Sequence, residues 1–243
     1  MTAIQTQNLT KRFRDKTAVD ALNLTVEDGE LFALLGVNGA GKTTTIRMLS
    51  CLLSPSAGDA LLLGDSIVAA PQRVKAKINV SPQETAVARS LTVRENLVMM
   101  AGIYGAARAD AAARAQEIMA SLGLTAVAGQ RAKTLSGGYQ RRLSIAMALI
   151  TRPRILFLDE PTLGLDVLAR RELWHVIEGL RGRVTVILTT HYLEEAEALS
   201  DRIGVMAGGR LRAVGTAAEL MARTGAANFE EAFVALATEE VRA

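Results

Sequence analysis

The run Gly36-Val37-Asn38-Gly39-Ala40-Gly41-Lys42-Thr43 constrains this chain more than any other stretch. It follows a continuous apolar segment, Leu31 to Leu35, which reads as a strand covered on both faces. A helical pattern over about Lys42 to Leu53 comes next. Strand, Gly-rich loop, Lys-Thr and helix in that order form a phosphate-binding loop. Glycines let backbone N–H groups wrap an anion without Cβ atoms in the way. The Lys42 ammonium supplies positive charge to the β and γ phosphates, and the Thr43 hydroxyl ligates Mg²⁺. The helix that follows aims its N-terminal dipole at the same phosphates.

Around this loop the chain alternates strand and helix signals. Leu22, Leu24 and Val26 alternate with Asn23, Thr25 and Glu27 before the turn residues Asp28-Gly29. Further apolar β-type segments lie at Ala60 to Leu63, Ile78 to Val80, Ile155 to Leu158, Val184 to Leu188 and Ile203 to Met206. Between Glu84 and Leu149 the pattern turns helical, with starts near Leu91, Arg108 and Gly137. This predicts an α/β core, mostly a parallel sheet, with a helical insertion over about 84–150 and ligands at the carboxyl ends of the strands. Phe229, Phe233 and Leu236, opposite Glu230 and Glu231, predict a short amphipathic tail helix that docks on its own domain.

At 243 residues, with 49% hydrophobic and 22% charged, the chain has ordinary globular composition and enough length for a large core. The net charge of +3 comes from scattered residues, so no basic run argues for nucleic acid. Cys51 is the single cysteine; it cannot form an internal disulfide and reads as a small buried hydrophobe in the first helix, which fits a reducing cytosol. Met1 to Gln5 lacks a basic n-region and apolar h-region, and no apolar run approaches the roughly 20 residues of a membrane-spanning helix. Any membrane is therefore expected to be reached through a partner.

Two further motifs carry chemistry. Ile155-Leu156-Phe157-Leu158-Asp159-Glu160 is a buried strand ending in two acids, which puts both carboxylates at the phosphate edge. Asp159 is placed to hold Mg²⁺ and Glu160 to polarise the attacking water as general base. Leu135-Ser136-Gly137-Gly138-Tyr139-Gln140 opens an amphipathic helix. On its own it reads equally as a capped helix and as an anion site built from a hydroxyl and free N–H groups.

Taken together, these motifs resemble the nucleotide-binding subunit of an ABC transporter, over roughly Ile4 to Gly215 and in that family's order. The resemblance implies a P-loop NTPase core with an N-terminal antiparallel β-subdomain. It implies an ATPase domain over 1–225, with 226–243 as the helical tail. It makes Gly36 to Thr44 and Phe13 contacts of ATP, with Phe13 stacking on adenine. Gln83 corresponds to the glutamine between core and insertion, which senses the γ-phosphate and Mg²⁺; His191 corresponds to the switch histidine. Asp166 lies in the loop that follows the Walker-B strand, and Ser136, Gly137 and Gly138 form the signature that contacts ATP bound to the partner of a head-to-tail dimer. Two positions depart from the family pattern: Val37 stands where many members have Pro, with only its backbone expected to matter, and Tyr139 replaces the usual Gln.

The partners so implied are an integral membrane permease and a second copy of the chain or a homologous subunit, at the cytoplasmic face of the membrane. Gly36 to Thr45, Leu91 to Leu97 and the tail around Asn228 to Phe233 are most similar to exporter-type subunits, the group that includes sodium and drug efflux ATPases. The competing expectation is an ABC-type ATPase acting on nucleic acid or the ribosome. It is opposed by the lack of room between Thr44 and Leu135 for a long coiled coil, the single motif set and the single cysteine.

Overall fold

A strand apolar at every position needs cover on both faces, and this requirement organises the whole molecule. The computed structural model describes residues 1–238; residues 239–243, the end of the expected tail segment, lie outside the described residues. In chain order the elements are β1 (Thr2–Phe13), β2 (Lys16–Leu22), β3 (Thr25–Glu27), β4 (Leu31–Leu35), α1 (Lys42–Leu49), β5 (Ala57–Leu62), β6 (Asp65–Ser66), α2 (Pro71–Lys75) and β7 (Ile78–Ser81). Three helices follow, α3 (Val93–Ile103), α4 (Arg108–Ser121) and α5 (Gly137–Leu149). The chain then runs through β8 (Ile155–Asp159), α6 (Val167–Glu178), β9 (Thr185–Thr190), α7 (Leu193–Leu199), β10 (Arg202–Ala207), β11 (Arg210–Gly215), α8 (Ala217–Thr224) and α9 (Phe229–Thr238).

The main sheet has the order β11-β10-β4-β9-β8-β7. Every pairing in it is parallel except β10 with β11. A second sheet, β2-β1-β5-β6 with β3 beside β1, is antiparallel throughout. The α/β class, the antiparallel N-terminal sheet and the helical insertion are thus all present as expected. Alternation divides each buried strand between two cores. Phe32, Leu34, Ile155 and Phe157 pack with α1 and the antiparallel sheet, whereas Leu156 and Leu158 join the helical insertion and Ala33 and Leu35 the C-terminal helices.

The insertion starts cleanly because Thr92 caps α3 and Glu95 returns the bond, a reciprocal capping box. In the tail, Phe229, Ala232 and Leu236 of α9 are buried in one cluster with β4 and β10, while Glu230 and Glu231 stay exposed. Two expectations need correction. α1 ends at Leu49 rather than near Leu53, because Cys51 takes a left-handed φ of 57° and the N–H groups of Leu52 and Leu53 both fold back to the Arg47 carbonyl. Cys51 is accordingly half-buried in a turn, not a core position of a helix. The Leu22-to-Val26 alternation is right in burial but spans two strands, with Asn23 bonded to Asn8 at the break.

Candidate nucleotide site

Parallel strands β4, β7, β8 and β9 all end at one edge of the sheet, so the residues that follow each strand converge there. β4 leads into the Gly-rich loop, β7 into Pro82-Gln83, β8 into Glu160 and β9 into His191. Together they form a cavity of about 570 Å³ lined by Phe13, Lys16, Ala18, Asn38 to Thr44, Gln83, Glu160, Leu163 and His191.

The loop glycines answer to different demands. Gly41 has φ 106°, and a Cβ there would lie 2.5 Å from the Ala18 carbonyl oxygen; a Cβ on Gly36 would overlap the Met206 carbonyl. Gly39 has φ 83° but open space around it. Two of these positions are therefore fixed by packing against the chain itself, and only Gly39 leaves its side open. The Val37 side chain is exposed, and its carbonyl accepts from Lys42 Nζ at 3.3 Å beside the Gly36 carbonyl at 2.7 Å.

Lys42 is buried, and its Nζ lies 3.5 Å from Glu160 Oε1. Burial pushes the Lys42 ammonium below its usual value, against the opposing pull of Glu160 and Asp159. The other oxygen of Glu160 is 3.4 Å from His191 Nδ1, a buried nitrogen with no hydrogen-bond partner. Glu160 itself has φ 46°, and its N–H donates to the Thr189 carbonyl and hydroxyl at 3.1 and 3.0 Å. Left-handed backbone at a non-glycine residue costs roughly 1–3 kcal/mol and persists where the surroundings over-determine it. Asp159 Oδ1 accepts from Thr189 Oγ1 at 2.6 Å and Thr43 Oγ1 at 3.1 Å. A carboxylate and a hydroxyl this close, with the Gln83 side chain lining the same cavity, make a hard oxygen donor set of the kind that suits Mg²⁺.

Gly36, Val37 and Asp159 sit just behind this lining, tied to it through Lys42 and Thr43, whereas two groups of expected site residues stand apart from it: Ser136, Gly137 and Gly138, and Asp166. Ser136 caps α5, and Ser136 and Gly137 are exposed. Gly138 is held by packing, since a Cβ there would meet Ala169 of α6 at 3.0 Å. The Tyr139 ring lies under the Arg142 guanidinium, 4.2 Å from its centroid. Asp166 caps α6 by accepting from the N–H groups of Leu168 and Ala169.

Sequence reasoning passed over three residues that the structure places around the site. Thr189 bonds both Asp159 and Glu160; its signal is a polar residue closing an apolar strand just before Thr190-His191. Arg141 is buried on the face of α5 shared with Gly138 and Ser144, where a charge breaks the helical pattern. Glu195 is fully buried behind the His191 turn and accepts from Trp174 Nε1 at 3.1 Å.

The second Glu195 oxygen lacks a partner in hydrogen-bond geometry. Burial holds the carboxyl above its usual value, with the nearby hydroxyls of Thr190 and Thr162 and the Trp174 indole pulling the other way. A carboxyl raised in the folded state takes up a proton more readily folded than unfolded. Stability is therefore lost as pH rises from the unfolded value through the folded one, and the penalty is complete above it. Glu195→Gln is expected to be more stable than the parent at pH 8 by about 1 kcal/mol, a typical burden for an unmatched buried acceptor. The difference should vanish below about pH 4. Denaturant unfolding at both values checks this; equal stabilities at pH 8, or a pH-independent difference, would refute it.

The profile of a family described as "ABC transporter" matches residues 19–163. The daunorubicin/doxorubicin resistance ATP-binding protein DrrA of Streptomyces peucetius is 44% identical over 224 residues, covering 92% of this chain and 68% of that protein. The linearmycin resistance ATP-binding protein LnrL of Bacillus subtilis is 40% identical, covering 91% of this chain and 72% of its own length. A solved structure titled as the ATP binding subunit of an ABC transporter superposes with a TM-score of 0.84 at 27% identity, covering 97% of this chain and 99% of that one.

Proposed function

The chain belongs to the ABC transporter family as one of its ATP-binding, ATP-hydrolysing members, and from that premise we propose that it drives export through a separate membrane permease as half of an ATP-closed dimer. The observation that carries this reading is Glu160, buried at the edge where the parallel strands end, with one carboxylate oxygen facing Lys42 and the other facing His191. Lys42 and the N–H groups of the Gly-rich loop hold the β and γ phosphates, and Phe13, half-exposed at the cavity mouth, stacks on the base. Thr43, Asp159 and Gln83 would hold Mg²⁺, which would supply positive charge against that developing on the transferred phosphoryl group. Glu160 accepts the proton of the attacking water, and His191 holds the γ-phosphate and keeps Glu160 in place.

The same reading explains the residues that stand outside the cavity. Ser136 and Gly137 present an exposed helix start outside the cavity of their own chain, and Leu163, Val167 and Leu168 beside Asp166 expose apolar surface. Both features suit a second copy, related head to tail, whose ATP is capped by Ser136, Gly137 and Gly138. ATP then bridges the two chains, and hydrolysis removes the bridge. On the insertion, Met99 and Ile103, one helical turn apart, expose apolar surface together with Tyr104 at the end of α3. That patch suits a short helix of the permease. No helix among the described residues is long and apolar enough to cross a membrane.

The deciding experiment is capture from detergent-solubilised membranes of the source cell, with the Glu160→Gln chain as bait in ATP and Mg²⁺. A multi-spanning membrane protein is the expected catch. Ribosomes or DNA-processing proteins without any membrane protein would overturn the transporter reading and leave the ATPase.

A further inference from the structure

Helix α5 starts at the exposed Ser136 and one turn later sends a single charged side chain into the interior. Arg141 is 4% exposed, with Asp159 and Glu195 as the acids that draw on its charge. Its guanidinium is used on backbone carbonyls: Nη1 donates to Pro82 at 2.7 Å, and Nη2 to Gln83 at 2.6 Å and, more weakly, to Glu160 at 3.5 Å. These carbonyls belong to two separate segments, the chain leaving β7 and the turn leaving β8. Ser144, on the same face of α5, adds a hydroxyl contact to Ser81 at 3.0 Å.

We propose that Arg141 is a positioning residue that sets the Gln83 loop against the left-handed turn at Glu160 and locks both to the helix that begins at Ser136. The Glu160 backbone is held at both ends, by Thr189 on the N–H and, on the carbonyl, by the Leu163 N–H at 3.2 Å within the turn and by Arg141 from outside it. Only a planar fork reaches successive carbonyls in one loop and a third across the gap; an ammonium on a flexible stem satisfies one at a time. A shift of the Gln83 loop is thereby passed to Glu160 in the same chain and to Ser136, which faces the other nucleotide of the dimer. Because it acts on backbone, Arg141 governs where the reacting groups stand and leaves the phosphate contacts of the Gly-rich loop alone. The inference rests on the roles proposed above for Gln83, Glu160 and Ser136.

The test compares steady-state turnover and equilibrium ATP affinity of the purified chain with those of Arg141→Lys, Arg141→Met and Glu160→Gln. Arg141→Lys is expected to lower kcat about tenfold and Arg141→Met about a hundredfold, the scale of an ångström-size misplacement, with the Kd for ATP within twofold of the parent. A kcat loss under threefold in Arg141→Lys, or a loss matched by an equal loss of ATP affinity, overturns the proposal. If Arg141→Met does not fold, the Lys variant decides alone. Glu160→Gln separates the two levels. Wild-type turnover in that variant sinks the reading on which Arg141 depends, whereas an inactive Glu160→Gln beside a fully active Arg141→Lys sinks the Arg141 inference by itself.

Discussion

Glu160→Gln is expected to keep ATP bound and to lose about 10²–10⁴-fold in turnover, the usual worth of a positioned general base. The substitution keeps the shape of the side chain and the turn that presents it, because the bonds that fix this turn are made by the Glu160 backbone to Thr189, Leu163 and Arg141. What it removes is the carboxylate that lies between Lys42 at 3.5 Å and His191 at 3.4 Å. Asp159, the other acid at this edge, has its Oδ1 engaged by both Thr43 and Thr189. With hydrolysis stopped, ATP that bridges two chains stays in place, and sizing chromatography should find an ATP-dependent dimer. Adding Ser136→Arg in that background should return the monomer with ATP still bound, since Ser136 is exposed and outside its own cavity. Turnover within a few-fold of the parent in Glu160→Gln would move the base elsewhere; unimpaired dimers with Ser136→Arg would remove the signature from the interface.

How much of this could be read from residues alone depends on how local the cause is. The Gly-rich loop and the β8 acids are contiguous patterns whose chemistry sits within a few positions, so the elements that carry them were legible. The strands that end at one edge were legible too, because alternating strands and helices leave a parallel sheet few arrangements. Arg141 was not. Its importance comes from carbonyls 58 and 59 residues earlier, which nothing in the local pattern reveals. The reason for the glycines was only half legible. Anion wrapping explains why a loop should be Gly-rich, but Gly36 and Gly41 are required by the carbonyls of Met206 and Ala18, one of them 170 residues distant. The end of α1 failed for a simpler reason: Cys51-Leu52-Leu53 prolongs an apolar pattern past the point where φ at Cys51 turns positive.

Lys42→Ala carries the other large effect, and it divides into two measurable parts. ATP affinity is expected to fall by at least about thirtyfold, since truncating one partner of a buried charged contact costs about 2–5 kcal/mol. Affinity equal to the parent, by equilibrium titration, would sink the phosphate-loop assignment. The second part appears without nucleotide. Lys42 lies in a site that holds Glu160 and Asp159, both buried, and Glu160 is paired with it at 3.5 Å. Taking away the ammonium leaves Glu160 facing only His191, so the variant should also be less stable by about 3 kcal/mol, the scale for orphaning one member of a buried pair. Glu160→Gln combined with Lys42→Ala should recover part of that loss, because the orphaned charge is gone, yet recover none of the ATP affinity. A double-mutant cycle by denaturant unfolding reads the coupling. Additive losses in stability would mean that Lys42 and Glu160 stand close without supporting each other, and that the ammonium is held by the Gly36 and Val37 carbonyls alone.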